Sequence, residues 1–216
     1  MSRSISPVTT EAANTLAEAD DLLEFWFADA VTGAEAIARR NRVWFAGGAE
    51  FDRACGERFA ASLAAAANGQ LDHWMESPRG RLALVLLLDQ FSRNIYRGTA
   101  AAYQQDERAL AVCREGIEMG HDKQLAPIER TFFYLPMEHA EDRAIQALSV
   151  QSFETLAEEA PEELHDQMQA NAGYARQHRD IVEKFGRFPH RNEVLGRKST
   201  PDEEAYLADD APRFGQ

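Results

Sequence analysis

Residues 178–192 read HRDIVEKFGRFPHRN, and the way this stretch changes character halfway along decides how the chain is built. Tyr174, His178, Ile181, Val182 and Phe185 recur at the three-to-four spacing that lines one face of a helix, so the spacing predicts a helix with His178 on its apolar stripe. Gly186 stands where a left-handed residue closes a helix, and Pro189 prevents its resumption. The turn that follows displays Arg187, His190, Arg191 and Asn192. From 178 to 198 there are six Lys and Arg against three acids, in a chain whose formal charge is −13. A local reversal of sign favours an anion, or a carboxylate of the chain itself, as partner.

Outward from this point the same helical punctuation recurs. Alanine occurs 36 times while valine and isoleucine together occur 15 times, which favours helices over pleated strands. The fold class expected is all-α, with helix following helix through short connections in an antiparallel stack. Helices are expected from 11 to the aromatic run Phe25, Trp26, Phe27, over 36–45 up to Gly47 and Gly48, and over 51–67 up to Asn68 and Gly69. Ser77 and Pro78 form an N-cap with proline at the first helical position, opening a helix over 79–91 that is apolar nearly all round. Thr99 is expected to cap a helix over 100–119 closed by Gly120. Another opens at Pro127 and is kinked or interrupted by Pro136, one runs to Ala160, and Pro161 starts the helix that carries His178. Thr200, Pro201 and Glu203 form a capping box that begins a last helix to Ala208. Residues 1–10 read as a flexible tail and 11–216 as a single all-α domain, since no compositional shift divides them.

Composition also excludes function classes. A charge of −13 leaves no basic surface for phosphate backbones, so no nucleic acid is expected, and an acidic membrane surface would repel the chain. The longest apolar run is the seven residues 82–88, far short of the roughly 20 needed to cross a bilayer. Cys55 and Cys113 have no paired or metal-like spacing and read as buried free thiols; with no apolar leader after Arg3, a cytoplasmic location is expected by elimination.

Three polar clusters stand at helix ends. The first is 89–99, where Asp89 lies on the line of Leu82, Val85 and Leu86 and needs a partner, with Arg93, Asn94 and Arg97 following. The second is 137–143, with Glu138, His139 and Glu141; the third is the stretch quoted above with Arg197 beyond it. These arginines supply bidentate donors suited to a carboxylate or phosphate ester. Glu138, His139, Glu141, His178 and His190 are metal-ligand types, yet their spacing is not that of a metal motif and HExxH is absent, so no metal is expected. No phosphate-binding or dinucleotide glycine pattern occurs, and no cofactor is expected. Ser92, Ser199, Cys55 and Cys113 lack the surroundings of an activated nucleophile.

The blocks LLLDQFSRNIYRGT (86–99), FFYLPMEHAED (132–142) and HRDIVEKFGRFPHRN, continued by LGRKST and PDEEAYL, resemble the signature blocks of the bacterial family called domain of unknown function 924. The similarity runs over roughly 20 to 208 in the same order, and the FGRFPHRN block is highly specific. The resemblance implies a tetratricopeptide-like array of helices and assigns no activity.

Two expectations about function stand side by side. In one, the clusters converge on a concave pocket for a small anion, with Asp89, Arg93, Asn94, Arg97, His139, Glu141, Arg187, Arg191, Asn192 and Arg197 as ligand-binding residues. Proton transfer there would fall to His178 or His190 with Glu138 as the assisting carboxylate, because histidine titrates near neutrality. In the other, the same charges form a structural ion-pair network, and the chain is a non-enzymatic tetratricopeptide-like scaffold whose concave face takes a protein partner.

Overall fold

The computed structural model describes residues 16–209. The tail expected over 1–10 and the first turn of the helix expected from 11 lie outside them. Among the described residues the chain is all-α, with no strand.

The first helix, α1 (Ala19–Phe27), buries Leu22, Leu23, Trp26 and Phe27. It is followed by α2 (Ala34–Ala46) and α3 (Gly48–Ala67), separated by the glycine pair as the sequence predicts. Their aromatics form the driest part of the molecule: Trp26 lies 5.1 Å from Phe91, Phe25 stacks on Phe51 at 5.5 Å, and Trp44 meets Phe132 at 4.5 Å. Rings tilted or offset at these distances satisfy the quadrupole preference of aromatic pairs while burying large apolar areas.

The centre is α4 (Pro78–Leu86), opened by Ser77, whose hydroxyl accepts from the Gly80 N–H. Every side chain from Leu82 to Leu88 is fully buried, because α1 and two later helices pack on different sides of it. One of these is α6 (Asp106–Glu118), where a Cβ on Gly116 would stand 2.4 Å from Arg81 Cδ and 2.6 Å from Phe133 Cζ. Only glycine permits so close an approach. Arg81, fully buried within this apolar helix, bonds the Met75 and Val112 carbonyls and His121 Nδ1.

Two departures from expectation shape the site. The helix read as 79–91 is α-helical only to Leu86; Leu87–Phe91 is a π-helical turn, and a short α5 (Ser92–Ile95) follows. The helix read as 100–119 is broken: Ala100–Tyr103 is a 3-10 turn, and α6 begins only at Asp106. Thr99 does not cap it, since its hydroxyl donates to the Tyr96 carbonyl instead.

After α6 come α7 (Pro127–Glu138), α8 (Arg143–Glu159) and α9 (His165–Phe185). Pro136 sits inside α7 without ending it. Arg130 reaches Glu159 at 2.8 Å while Gln146 reaches the Glu138 carbonyl at 2.6 Å, so α7 and α8 run antiparallel. Arg176 with Glu154, and Arg143 with the Glu183 carbonyl, give the same relation for α8 and α9. These three helices stack in chain order, whereas α4 is packed by α1, α6 and α7 at once, beyond the nearest-neighbour contacts of a simple solenoid. Tyr174 points away from the apolar stripe assigned to it and is 54% exposed; Met168, Ala172, Ala175, His178, Ile181 and Val182 form the buried face of α9. Gly186 closes α9 in the left-handed region at φ +73. The last helix, α10 (Pro201–Ala208), begins with the predicted reciprocal cap between Thr200 and Glu203.

No helix among the described residues is long and apolar enough to cross a membrane, no group of His, Cys, Asp or Glu there is arranged to hold a metal ion, and Cys55 and Cys113 are free and buried.

Candidate functional site

The π turn swings Asp89 toward the C-terminal end of α7. Its Oδ1 accepts from His139 Nδ1 at 2.8 Å and lies 3.0 Å from Arg93 Nη1, and its Oδ2 accepts from the Gln90 amide at 2.7 Å. Burial alone would raise this carboxyl, yet Arg93, His139 and Gln90 together hold it well below the usual carboxylate range. Because Nδ1 of His139 donates to Asp89, the basic lone pair of this imidazole is on Nε2. Burial, and then Arg93, lower its pKa, so it is neutral near pH 7.

Arg93 also grips Asp106 in a bidentate fork, with Nη1 to Oδ1 at 2.9 Å and Nη2 to Oδ2 at 3.1 Å. Arg191, carried on the 3-10 turn Pro189–Arg191, donates to the His139 carbonyl at 3.0 Å and stands 3.6 Å from Asp106 Oδ2. Its guanidinium lies over Phe188 at 4.4 Å and Tyr103 at 4.9 Å. Burial, and then the charge of Arg93, depress Arg191 to about 10.

Behind this layer, His178 Nδ1 donates to the Tyr174 carbonyl at 2.9 Å and is 3.3 Å from Glu138 Oε1; its ring is 6.2 Å from that of His139. Burial, aided by the charge of Asp89, pushes Glu138 up to about 8, so this group is mostly a neutral acid at pH 7 rather than the carboxylate expected. Burial and His139 lower His178 to about 3, and burial and Arg191 lower His190 to about 4. His139 is held by the Asp89 carboxylate, the arrangement that orients a general base, while His178 stands beside Glu138.

The remaining predicted residues divide. Glu141 accepts the Phe188 N–H at 2.8 Å and pairs with Arg197, which also bonds Asn192 at 3.0 Å. Asn192 in turn bonds Glu203, the partner of Arg187 at 2.7 Å. These contacts join the third cluster to the second and tie α10 onto the turn after α9. Asn94 and Arg97 instead bond Asp52 on α3, at 2.8 and 2.7 Å. Asp106, Tyr103 and Gln90 complete the cluster without having been singled out in the sequence. Nothing local marks them: Asp106 is an ordinary first-turn acid, 13 residues from Arg93 and on a different helix.

Gln90, Tyr103, Asp106, His139, Glu141 and His190 are only partly buried and are the members of the cluster nearer to solvent, whereas Asp89, Arg93, Glu138, His178 and Arg191 are buried. Two shallow surface recesses of about 380 Å³ are lined by other residues, one by Thr32 to Ala36, Arg39 and Glu163, the other by Pro161, Glu162 and Glu163.

No curated protein matches the chain. It is similar to a solved structure from Agrobacterium tumefaciens, described as a protein of unknown function, ATU0120: 41% sequence identity, TM-score 0.73, covering 88% of this chain and 96% of that one. The model of a bacterial family of proteins of unknown function, DUF924, matches residues 22–211. With nearly the whole described chain inside that match, the chain belongs to the DUF924 family.

Proposed function

We propose that this chain binds a small anion, a carboxylate or a phosphate ester, at Tyr103, His139 and His190 beside Arg191. The observation that carries the reading is the loose pairing of Arg191. It is 4% exposed, its nearest carboxylate is at 3.6 Å, and its Nε is buried with no acceptor from the protein. Arg93, Arg187 and Arg197 each have a carboxylate oxygen at 3.0 Å or closer. A buried guanidinium that no carboxylate contacts directly gains from an anion in hydrogen-bond reach what an exposed one would not. The chemistry open to such a ligand is proton transfer, with the His139 lone pair as base and neutral Glu138 as acid. The contiguous apolar cluster from Leu22 to Ala175 supports one domain, and the free thiols support the cytoplasmic placement.

A thermal-shift panel of small carboxylates and phosphate esters tests this, since a ligand at 100 times its dissociation constant adds about 2.7 kcal/mol. A shift that disappears in a folded Arg191→Met variant is the expected result; no shift across the panel, in wild type and in variants that lack competing acids, contradicts it.

A second reading has its own support. Arg97 with Asp52, Arg187 with Glu203 and Arg197 with Glu141 are already paired, as in a network that only fixes how helices dock, and Phe45 is 73% exposed on α2. On that reading the chain is a scaffold for a protein partner. Saturable capture of a polypeptide that survives Arg191→Met would favour it.

A further inference from the structure

Arg93 and Arg191 are far apart in the sequence and meet at one carboxylate, that of Asp106. Both of its oxygens accept from Arg93, at 2.9 and 3.1 Å, and one of them is 3.6 Å from Arg191. Both guanidiniums lie over the ring of Tyr103, at 5.7 and 4.9 Å. Both Nε atoms are buried without an acceptor from the protein. A planar carboxylate held by a bidentate guanidinium, with a second cation alongside and an aromatic ring against both, is the arrangement by which proteins take up free carboxylates.

Asp106 is also the member of this group closest to solvent. Its side chain is 24% exposed, against 1% for Asp89 and 8% or less for the two arginines. It arrives there because the helix expected over 100–119 breaks after the turn Ala100–Tyr103 and restarts at Asp106 itself. Asp89 and Asp106 together balance Arg93 and Arg191. Adding a further carboxylate would leave the buried group with a net negative charge, whereas exchanging one carboxylate for another keeps it neutral. A phosphate dianion, with both charges on one head, would break that balance in either case, whereas a dicarboxylate can place one carboxylate in the site and keep the other in solvent.

We infer that Asp106 occupies the place of a ligand's carboxylate, and that this site takes a planar carboxylate by displacing Asp106 from Arg93 and Arg191. The inference rests on the anion-binding reading above and narrows its ligand class. The chain's own acid thereby competes with the ligand, so that removing its charge strengthens binding.

Calorimetric or NMR titration with acetate, malonate and inorganic phosphate tests this on the full chain as wild type, Asp106→Asn, Asp106→Ser, Arg191→Met and the Asp106→Asn/Arg191→Met double variant. Asp106→Ser keeps an oxygen at the start of α6 in case the amide disturbs folding. Both single Asp106 variants are expected to bind acetate or malonate at least tenfold tighter than wild type, and the double variant is expected to lose that gain. If wild type binds and loses binding on Arg191→Met, while neither Asp106 variant binds more tightly, Asp106 is not the surrogate and the anion-binding reading stands. If phosphate gains more than either carboxylate, the carboxylate assignment is overturned. If no variant binds any of the three probes, the inference and the anion-binding reading both fall.

Discussion

Two parts of this molecule are equally buried and are held together by different physics. The aromatic core of α1 to α4, with Trp26, Phe59, Phe91 and Phe132 nearly inaccessible, is stabilised by area removed from water and tolerates changes that conserve volume. The polar cluster of Asp89, Arg93, Glu138, His178 and Arg191 is buried to a similar degree, yet its ionised members Asp89, Arg93 and Arg191 are stabilised only while their partners keep their charge. The π turn joins the two: Leu87, Leu88 and Phe91 face the first, and Asp89 faces the second. The contrast teaches that burial alone does not rank these residues, since substitutions of the same size have costs set by charge in one region and by shape in the other.

The sharpest break of that contrast is within this one turn. Asp89→Asn conserves shape but removes the buried charge that faces Arg93 and accepts from His139, and is expected to cost about 3–5 kcal/mol in chemical denaturation. Leu87→Met, two residues away, is expected to cost less than about 1.5 kcal/mol. Equal costs for the two would mean that the cluster packs like a core and is not governed by its charges.

The second prediction uses pH. The folded pKa of Glu138 is raised to about 8, so the folded state holds a proton that the unfolded chain releases near 4.5. Its contribution is fully present below pH 4.5 and is lost as pH rises through 8. His178 and His190 are lowered to about 3 and about 4, so theirs is fully present above the unfolded value near 6.5 and is lost as pH falls. The two effects oppose each other below pH 6.5 and separate above it. Between pH 6.5 and 8 the wild type is expected to lose about 2 kcal/mol of stability relative to Glu138→Gln. Melting curves of both across this window decide the matter, and the same slope in both would place the titrating group elsewhere.

The smallest expected effect concerns the edge of the cluster. Thr200→Ala removes the hydroxyl that caps α10 and is expected to cost about 1 kcal/mol, because Glu203 keeps its two bonds to Arg187. A loss as large as that of Asp89→Asn would show that the docking of α10, more than the Asp89 ion pairs, holds the cluster in place.

Much of this was legible in the sequence wherever the cause is local. Ser77 with Pro78, Gly186, and the Thr200 and Glu203 box act within a few residues, and each is found where it was read. The π turn at Leu87–Phe91, the break before Asp106 and the passage of α7 through Pro136 are imposed by packing between distant helices, and no periodicity announces them. The site follows the same division. Asp89 was marked as needing a partner, and His139, Arg93 and Arg191 were among the residues singled out. Their pairings depend on Asp106 and Tyr103, which carry no local signal, and Asn94 and Arg97 were grouped with them although they bond Asp52. The role of Glu138 changed for a similar reason, since burial beside Asp89 turns a presumed carboxylate into a neutral acid.

The account turns on Arg191 as a buried cation that no carboxylate contacts directly, and the arginine Nε–H resonances report on it without any assumption about turnover. A ¹⁵N-edited NMR titration of the wild type with acetate and malonate, with Arg191 assigned through Arg191→Lys, is predicted to give saturating shifts of the Arg191 and Arg93 Nε–H signals while that of exposed Arg53 stays in place. Movement of Arg53 alone, or of none of the three up to concentrations at which nonspecific salt effects appear, would contradict it.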